Sequence, residues 1–383
     1  MNMPNRVLIA CIITFLLTSC SLFETDNTEP PAPLVELKEI FTPTVIWTQS
    51  TGRGSRDFKL MPALSQGRVI TSSIKGVVSA FEVDSGKLLW EQDTRLLLSS
   101  GVGIGAGMVV VGSRNGILVA LSEKDGNSAW RVQLSSEVIA APQIEANIVV
   151  VRTVDGKVYA LNVHSGAKIW VYERDIPILS LWGNSSPVIS QDWVIAGLDN
   201  GKLAVLTLQT GKLLWEANVA IPHGRSELER LVDVDAKPIV SDGVVYVTSY
   251  QGRTVAGDLY SSKLLWERDI SSYAGLAVDN DSVYISDAHS HIWAVSRASG
   301  VSLWKQTKLQ ARGITAPVVV GNYLAVGDIE GYVHWMRRDN GEFVARYRTG
   351  SKSINVPPLA VDEQRILVYT SRGELQLLRL SGK

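Results

Sequence analysis

The stretch Gly76-Val-Val-Ser-Ala80-Phe-Glu-Val-Asp-Ser-Gly86-Lys-Leu-Leu-Trp90 contains the pattern that decides the fold, because the pattern returns along the chain. Its first part is a glycine followed by an apolar strand, with an apolar residue four places on. Eight copies occur, at steps of 38 to 51 residues, beginning at Gly76, Gly116, Gly156, Gly201, Gly252, Ser290, Gly331 and Gly373. A unit of roughly 40 residues holds four short strands and their turns, so the repeat predicts an all-β fold, an eight-bladed β-propeller of four-stranded blades.

The second part of the pattern is a turn followed four residues later by tryptophan. Tryptophan occupies this position at residues 90, 130, 170, 215, 266 and 304, and a further tryptophan, Trp47, lies 43 residues before Trp90. One fixed site per unit favours packing between blades over a binding role. Unit seven has Ala345 there, so we expect that junction to be packed differently.

The two chain ends are expected to share one blade. The eighth unit stops soon after Gly373 with no fourth strand, whereas the strand around Trp47 has no blade in front of it. This first strand can therefore complete blade eight and close the ring, which removes exposed sheet edges.

The N-terminal residues predict export and lipid attachment. Arg6 precedes an apolar run from Val7 to Leu17, and Leu17-Thr-Ser-Cys20 has the form of a lipobox. Residues 1–19 are thus predicted to be a lipoprotein signal peptide, with Cys20 acylated after cleavage. The alternative, an uncleaved membrane anchor, is disfavoured because the apolar run is too short to span a bilayer. Ser21 is typical of lipoproteins sorted to the outer membrane.

The rest of the chain divides into two parts. Residues 20–40 are polar and proline-bearing, which predicts a flexible tether behind the acylated cysteine, and residues 41–383 form the propeller. Cys11 and Cys20 are the only cysteines, so no disulfide can form within the propeller.

Composition and motifs argue against several functions. The 37 Lys and Arg balance 38 Asp and Glu with no concentrated basic face, so we expect no nucleic-acid partner. His289 and His291 fit a surface hairpin better than a metal site, and the loop at Asp233 and Asp235 lacks further calcium ligands. No catalytic motif is found, so the sequence predicts no enzyme, no cofactor and no metal.

The Gly-Lys-Leu-Leu-Trp turns resemble the propellers of pyrroloquinoline-quinone enzymes. Eight such blades behind a lipobox resemble the BamB family of lipoproteins, and the segments Leu179-Ser-Leu-Trp-Gly183 and Glu229-Arg-Leu-Val-Asp-Val-Asp235 carry the more specific resemblance. The family implies a non-catalytic scaffold of the outer-membrane β-barrel assembly (BAM) complex that faces the periplasm. Such a scaffold binds the POTRA domains of BamA, assists insertion of β-barrel proteins and could contact nascent barrels. The alternative is a periplasmic quinoprotein-type or sugar-binding propeller.

Two long loops point to the same residues independently. Trp170 is 17 residues from Pro187 and Trp215 is 23 residues from Pro238, against 10 to 15 for the equivalent connections. Consecutive long loops lie side by side on one face, and such insertions mark the binding face of a repeat protein.

We therefore predict a bipartite site for BamA. Leu179 and Leu181 form its apolar anchor, and Asp233 and Asp235 its acidic rim. Trp182 joins the site where family members carry arginine. In the alternative interpretation, the apolar loop tucks into the propeller mouth and the acids cap local amides.

Overall fold

The computed structural model describes residues 29–174, 185–220, 233–350 and 353–382, and the regular secondary structure in these ranges is β-strand. The strands form eight sheets of four strands each, and every pairing is antiparallel. The predicted eight-bladed propeller is confirmed. Within the described ranges, no helical segment is long and apolar enough to cross a membrane.

The first four blades each use four consecutive strands. Blade one contains β2 (Ala63–Ser65), β3 (Arg68–Ser72), β4 (Val77–Glu82) and β5 (Leu88–Asp93). Blade two contains β6 (Gly103–Gly105), β7 (Met108–Gly112), β8 (Ile117–Ser122) and β9 (Ser128–Gln133). Blade three contains β10 (Gln143–Glu145), β11 (Ile148–Arg152), β12 (Val158–Asn162) and β13 (Lys168–Tyr172). Blade four contains β14 (Val188–Ser190), β15 (Trp193–Gly197), β16 (Lys202–Thr207) and β17 (Leu213–Asn218).

The last four blades repeat this order, except that blade eight borrows the first strand of the chain. Blade five contains β18 (Ile239–Ser241), β19 (Val244–Thr248), β20 (Thr254–Asp258) and β21 (Leu264–Arg268). Blade six contains β22 (Gly275–Val278), β23 (Ser282–Ser286), β24 (Ile292–Ser296) and β25 (Ser302–Gln306). Blade seven contains β26 (Val318–Val320), β27 (Tyr323–Gly327), β28 (Tyr332–Arg337) and β29 (Phe343–Arg348). Blade eight contains β30 (Leu359–Ala360), β31 (Arg365–Tyr369), β32 (Glu374–Gly382) and β1 (Phe41–Ser50).

The core lies between the blades. The second and third strands of each blade are almost wholly buried, whereas the fourth strand alternates between buried and exposed positions. Residues of neighbouring blades share one apolar cluster, as Val110 of blade two does with Val149 and Val151 of blade three. The first strands contact one another around the centre of the ring, so they line a central channel.

Each regular junction is locked by its tryptophan, as predicted. The indole nitrogen donates a hydrogen bond of 2.7–3.2 Å to a backbone carbonyl of the next blade, for Trp47, Trp90, Trp130, Trp170, Trp215, Trp266 and Trp304. The ring also covers the turn of that blade. At Gly86, which has φ of +71°, an added Cβ would lie 2.6 Å from the Trp47 ring. This turn therefore needs glycine both for its backbone conformation and for the close approach of the ring.

The ring closes through β1, which pairs with β32 from Phe41 opposite Gly382 to Ser50 opposite Glu374. The predicted closure by the N-terminal strand is confirmed. The fourth strand extends past its tryptophan, since β5 continues from Trp90 to Asp93.

The two faces of the ring carry different connections. We define the loop face as the end of the ring that carries the turns at the repeated glycines, such as Gly76. The connections from each fourth strand to the next blade lie on the same face. We call turn face the opposite end, which carries the turns between third and fourth strands, such as residues 84–87.

Residues 29–40 lie against blades six and seven, whereas the sequence predicts a flexible tether there. Ala32 accepts a hydrogen bond from Arg312, Val35 accepts one from Arg346, and Ile40 donates one to Val344. Of the predicted tether, only residues 20–28 fall outside the described ranges.

Candidate partner-binding site

The predicted site maps to the loop face at blades three to five, and the structure describes part of it. Leu179, Leu181 and Trp182 belong to residues 175–184, which lie outside the described ranges, as do residues 221–232 and the predicted lipidation residue Cys20. The described residues that border both gaps include Asp233 and Asp235, and the site is built up from these.

A buried valine sets the position of the two aspartates. Val234 is fully buried and packs over Gly197 at the end of β15, where an added Cβ would lie 2.6 Å from the valine Cγ1. The Asp233 carbonyl accepts a hydrogen bond of 3.0 Å from the Tyr250 amide, which fixes the backbone. Extended backbone alternates its side chains, so Asp233 and Asp235 project to the side opposite Val234.

Asp233 is not part of an exposed acidic rim, contrary to our expectation. Asp233 is 1% exposed. In the ionised form, neither of its carboxylate oxygens would have a hydrogen-bond donor. Burial, followed by the negative charges of Asp235 and Asp199, raises the pKa of Asp233 to about 9 in spite of Arg152. Asp233 is therefore a neutral acid at pH 7, and it can donate its proton to Asp235.

Asp235 is the more accessible member of the pair, being half-buried at the channel wall. Burial raises its pKa, while the hydrogen bond from Asp233 and the positive charge of Lys59 lower it. Of the two predicted acidic contacts, only Asp235 has a side chain that solvent can reach.

An ion pair links blades three and four beneath this site. Arg152, at the end of β11, is paired with Asp199, which follows β15, and their side chains are 3% and 4% exposed. Removing two charges from water is costly, so the pair depends on its close contact. The ion pair fixes the spacing of blades three and four. The first long loop begins at blade three and ends at blade four.

The channel mouth beside Asp235 carries both signs of charge. The channel encloses about 460 Å³, and most of its wall is made up of small apolar residues and prolines from the first strands and from the segments just before them. Lys59 lies at this wall, where burial lowers its pKa while Asp235 opposes that effect. Lys237 donates a hydrogen bond of 3.0 Å to Gln143. These groups suit recognition of a polar surface.

Within the described ranges, no group of three or more His, Cys, Asp or Glu side chains is arranged to hold a metal ion. His289 and His291 lie in the turn between β23 and β24, and His291 Nδ1 is 3.1 Å from Asp287 Oδ2. Sequence reasoning missed Lys59, Arg152 and Asp199, since they belong to three different blades and only the folded ring brings them to Asp233 and Asp235.

Comparison with known proteins gives consistent results. Residues 74–306 match the family model described as outer membrane protein assembly factor BamB. The chain is 49% identical to the outer membrane protein assembly factor BamB of Alkalilimnicola ehrlichii over 378 residues, covering 98% of this chain and 97% of that protein. It is 34% identical to the Escherichia coli protein of the same name, covering 96% of this chain and 97% of that protein.

Solved structures agree at the level of the fold. The crystal structure of BamB from Moraxella catarrhalis superposes with a TM-score of 0.81 at 28% identity, covering 88% of this chain and all of that one. The quinohemoprotein alcohol dehydrogenase of Comamonas testosteroni superposes with a TM-score of 0.72, covering 89% of this chain and 77% of that one. At 13% identity, that likeness shows the propeller fold alone. From the family model and the nearly full-length relatives, the chain belongs to the BamB family of outer membrane protein assembly factors.

Proposed function

We propose that this chain is a scaffold lipoprotein of the BAM complex, which binds the POTRA domains of BamA and assists folding and insertion of outer membrane β-barrel proteins. Family membership over nearly the full chain is the observation that carries the proposal. It also supports an outer-membrane-associated location. We further propose that acylated Cys20 attaches the protein to that membrane and that the propeller faces the periplasm.

The proposed BamA site is the loop face at blades three to five. Leu179, Leu181 and Trp182 supply apolar contacts, and Asp235 supplies an accessible acidic group. Asp233 acts indirectly, because it is buried beside Asp235 and can hold that carboxylate in place through a shared proton. A buried apolar centre with a polar surround is the usual arrangement of a protein interface.

Binding of the full chain to purified POTRA domains tests this site. Burying a leucine contributes roughly 1.5–3 kcal/mol, so Leu179→Ala/Leu181→Ala should weaken binding by roughly tenfold to several-hundredfold when burial is incomplete. Asp235→Lys should slow association and increase its dependence on salt, because accessible charges chiefly steer the encounter.

The chain offers a matched control for the leucine pair. Leu264 and Leu265 are also adjacent on the surface, at 55% and 52% exposure, but they lie on β21 at the rim of blade five. Leu264→Ala/Leu265→Ala should bind POTRA domains as the wild type does. If the loop variants keep wild-type affinity with unchanged circular dichroism, this surface is not the BamA site.

We also propose that the propeller is not an enzyme. The alternative of a quinoprotein-type or sugar-binding propeller is not favoured by the relatives, and quinoproteins typically use adjacent cysteines, which this sequence lacks. Purified protein incubated with pyrroloquinoline quinone and calcium should gain no quinone absorbance after desalting and should oxidise no alcohol or sugar. Quinone-dependent turnover would overturn this assignment.

A further inference from the structure

Residues 29–40, which we call the N-terminal strap, are attached to the loop face at their first half. The Ala32 amide donates a hydrogen bond of 2.9 Å to the Gln310 carbonyl, and the Ala32 carbonyl accepts one of 2.8 Å from Arg312 Nη1. The Gln310 side chain also donates to Glu29. Gln310 follows β25 in the connection to blade seven, so this contact lies on the loop face.

The second half of the strap descends towards the turn face. Val35 accepts a hydrogen bond of 3.2 Å from Arg346 Nη1, in the middle of β29. Ile40 donates one of 2.9 Å to the carbonyl of Val344, near the start of β29 and beside the turn face. The strap therefore runs along the outer edge of blade seven from one face of the ring to the other.

The two arginines that hold the strap are themselves fixed in a buried polar network. Arg312 is 2% exposed and donates a hydrogen bond of 2.8 Å to Asp328, which is fully buried. Arg346 Nε donates to His334 Nδ1, and His334 Nε2 lies 2.9 Å from the same aspartate. Donors held in place before contact lose little conformational entropy when they bind a carbonyl. The strap thus occupies a preformed track.

Docking of the strap changes the face of the ring from which the N-terminal segment leaves the propeller. The chain enters β1 at Phe41, on the turn face. A free tether of 21 residues from Cys20 to Phe41 would reach roughly 70 Å from that face when fully extended. With the strap docked, the nine residues from Cys20 to Glu29 depart from the loop face and reach at most roughly 30 Å.

We propose that the strap orients the ring on the membrane, with the loop face towards the lipid surface. The proposal rests on the acylation of Cys20 in the proposed function. A ring turned the other way would use much of the short reach to pass the blade edge, since the six residues of β29 alone span roughly 20 Å. The partner bound at Asp235 then lies on the membrane side of the ring.

Fluorescence quenching from the bilayer tests this orientation with two matched positions. Lys75 and Lys87 are both exposed residues of blade one, in a loop-face turn and a turn-face turn respectively. Full-length acylated protein carrying Lys75→Cys or Lys87→Cys would be labelled with a thiol fluorophore. It would then be reconstituted into phosphatidylethanolamine and phosphatidylglycerol vesicles with a spin-labelled headgroup lipid. We expect stronger quenching at position 75 than at position 87.

A strap variant provides the control. Replacing residues 29–36 by an equal number of Gly and Ser residues removes the docking contacts and keeps the chain length. The difference between the two labels should be lost in this variant, while circular dichroism stays unchanged. Equal quenching at both positions with the native strap, or stronger quenching at position 87, would overturn the proposal.

Vesicle flotation and POTRA binding separate this inference from the proposed function. Protein that fails to float with the vesicles shows that the Cys20 anchor is absent, which removes the proposal with it. Protein that floats and binds POTRA domains but shows equal quenching overturns the orientation and leaves the scaffold function standing.

Discussion

Trp335 in β28 is paired directly with Ala345 in β29. Here the tryptophan lies in the third strand and the alanine in the fourth, which is the reverse of the arrangement in a regular blade. In blade one, for comparison, Ala80 lies in the third strand and Trp90 in the fourth. The reversal has a structural cause. A fourth-strand tryptophan packs on the next blade's turn between third and fourth strands, but in blade eight those strands are β32 and β1, from opposite ends of the chain. With no turn to cover, Trp335 points into the junction and packs edge-on against Phe41, with ring centroids 6.2 Å apart.

Trp335→Ala should lower the free energy of unfolding by about 3–5 kcal/mol, because it empties a fully buried site. Urea unfolding followed by circular dichroism measures the change. The double variant Trp335→Ala/Ala345→Trp should not recover the loss, since the relocated indole meets no turn in blade eight. Recovery to wild-type stability would contradict this account of the junction.

The periodic features of this molecule could be predicted from the sequence, and the non-periodic ones could not. The glycine and tryptophan repeats predict the blade number, the ring closure and the exception at Ala345, because each regular blade packs on the next one through the same residues. The raised pKa of Asp233 depends on its burial in the folded ring and on Asp199, which comes from another blade, so no local sequence pattern predicts it. The strap is held mainly through backbone groups of Ala32, Val35 and Ile40, and such contacts leave no signature in the sequence.

Cys20→Ala should abolish lipid attachment and leave the precursor unprocessed or mislocalised, because the thiol is the predicted acylation site. Mass spectrometry of the N-terminus and membrane fractionation measure both effects. Ser21→Ala serves as the control and should be processed normally. A wild-type protein with an unmodified N-terminus at another residue would refute the lipoprotein assignment.

Arg152→Met should cost about 3–5 kcal/mol of stability, because it leaves Asp199 as a buried charge without its partner. The double variant Arg152→Met/Asp199→Leu should lie much closer to the wild type, since both charges are then removed together. Urea unfolding of the two variants and of Asp199→Leu completes a double-mutant cycle. Equal losses in the single Arg152 variant and the double variant would show that the ion pair does not carry the effect.

The protonated state of Asp233 predicts a pH-dependent gain from Asp233→Asn. The folded pKa of about 9 lies above the ordinary value of 3.8, so the unfolded chain releases this proton at a lower pH than the folded one. The wild type therefore loses stability as the pH rises from about 4 to about 9, by at most about 1.4 kcal/mol per pH unit from this group. Asparagine keeps the shape and cannot ionise, so the variant does not lose stability in this way.

Urea unfolding at pH 5, 7 and 8.5 should show that the Asp233→Asn variant becomes increasingly more stable than the wild type as the pH rises. Asp235→Asn is the control at the accessible member of the pair, where we expect a smaller pH-dependent gain. A stability difference between Asp233→Asn and wild type that stays constant over this range would mean that Asp233 is already ionised in the folded ring.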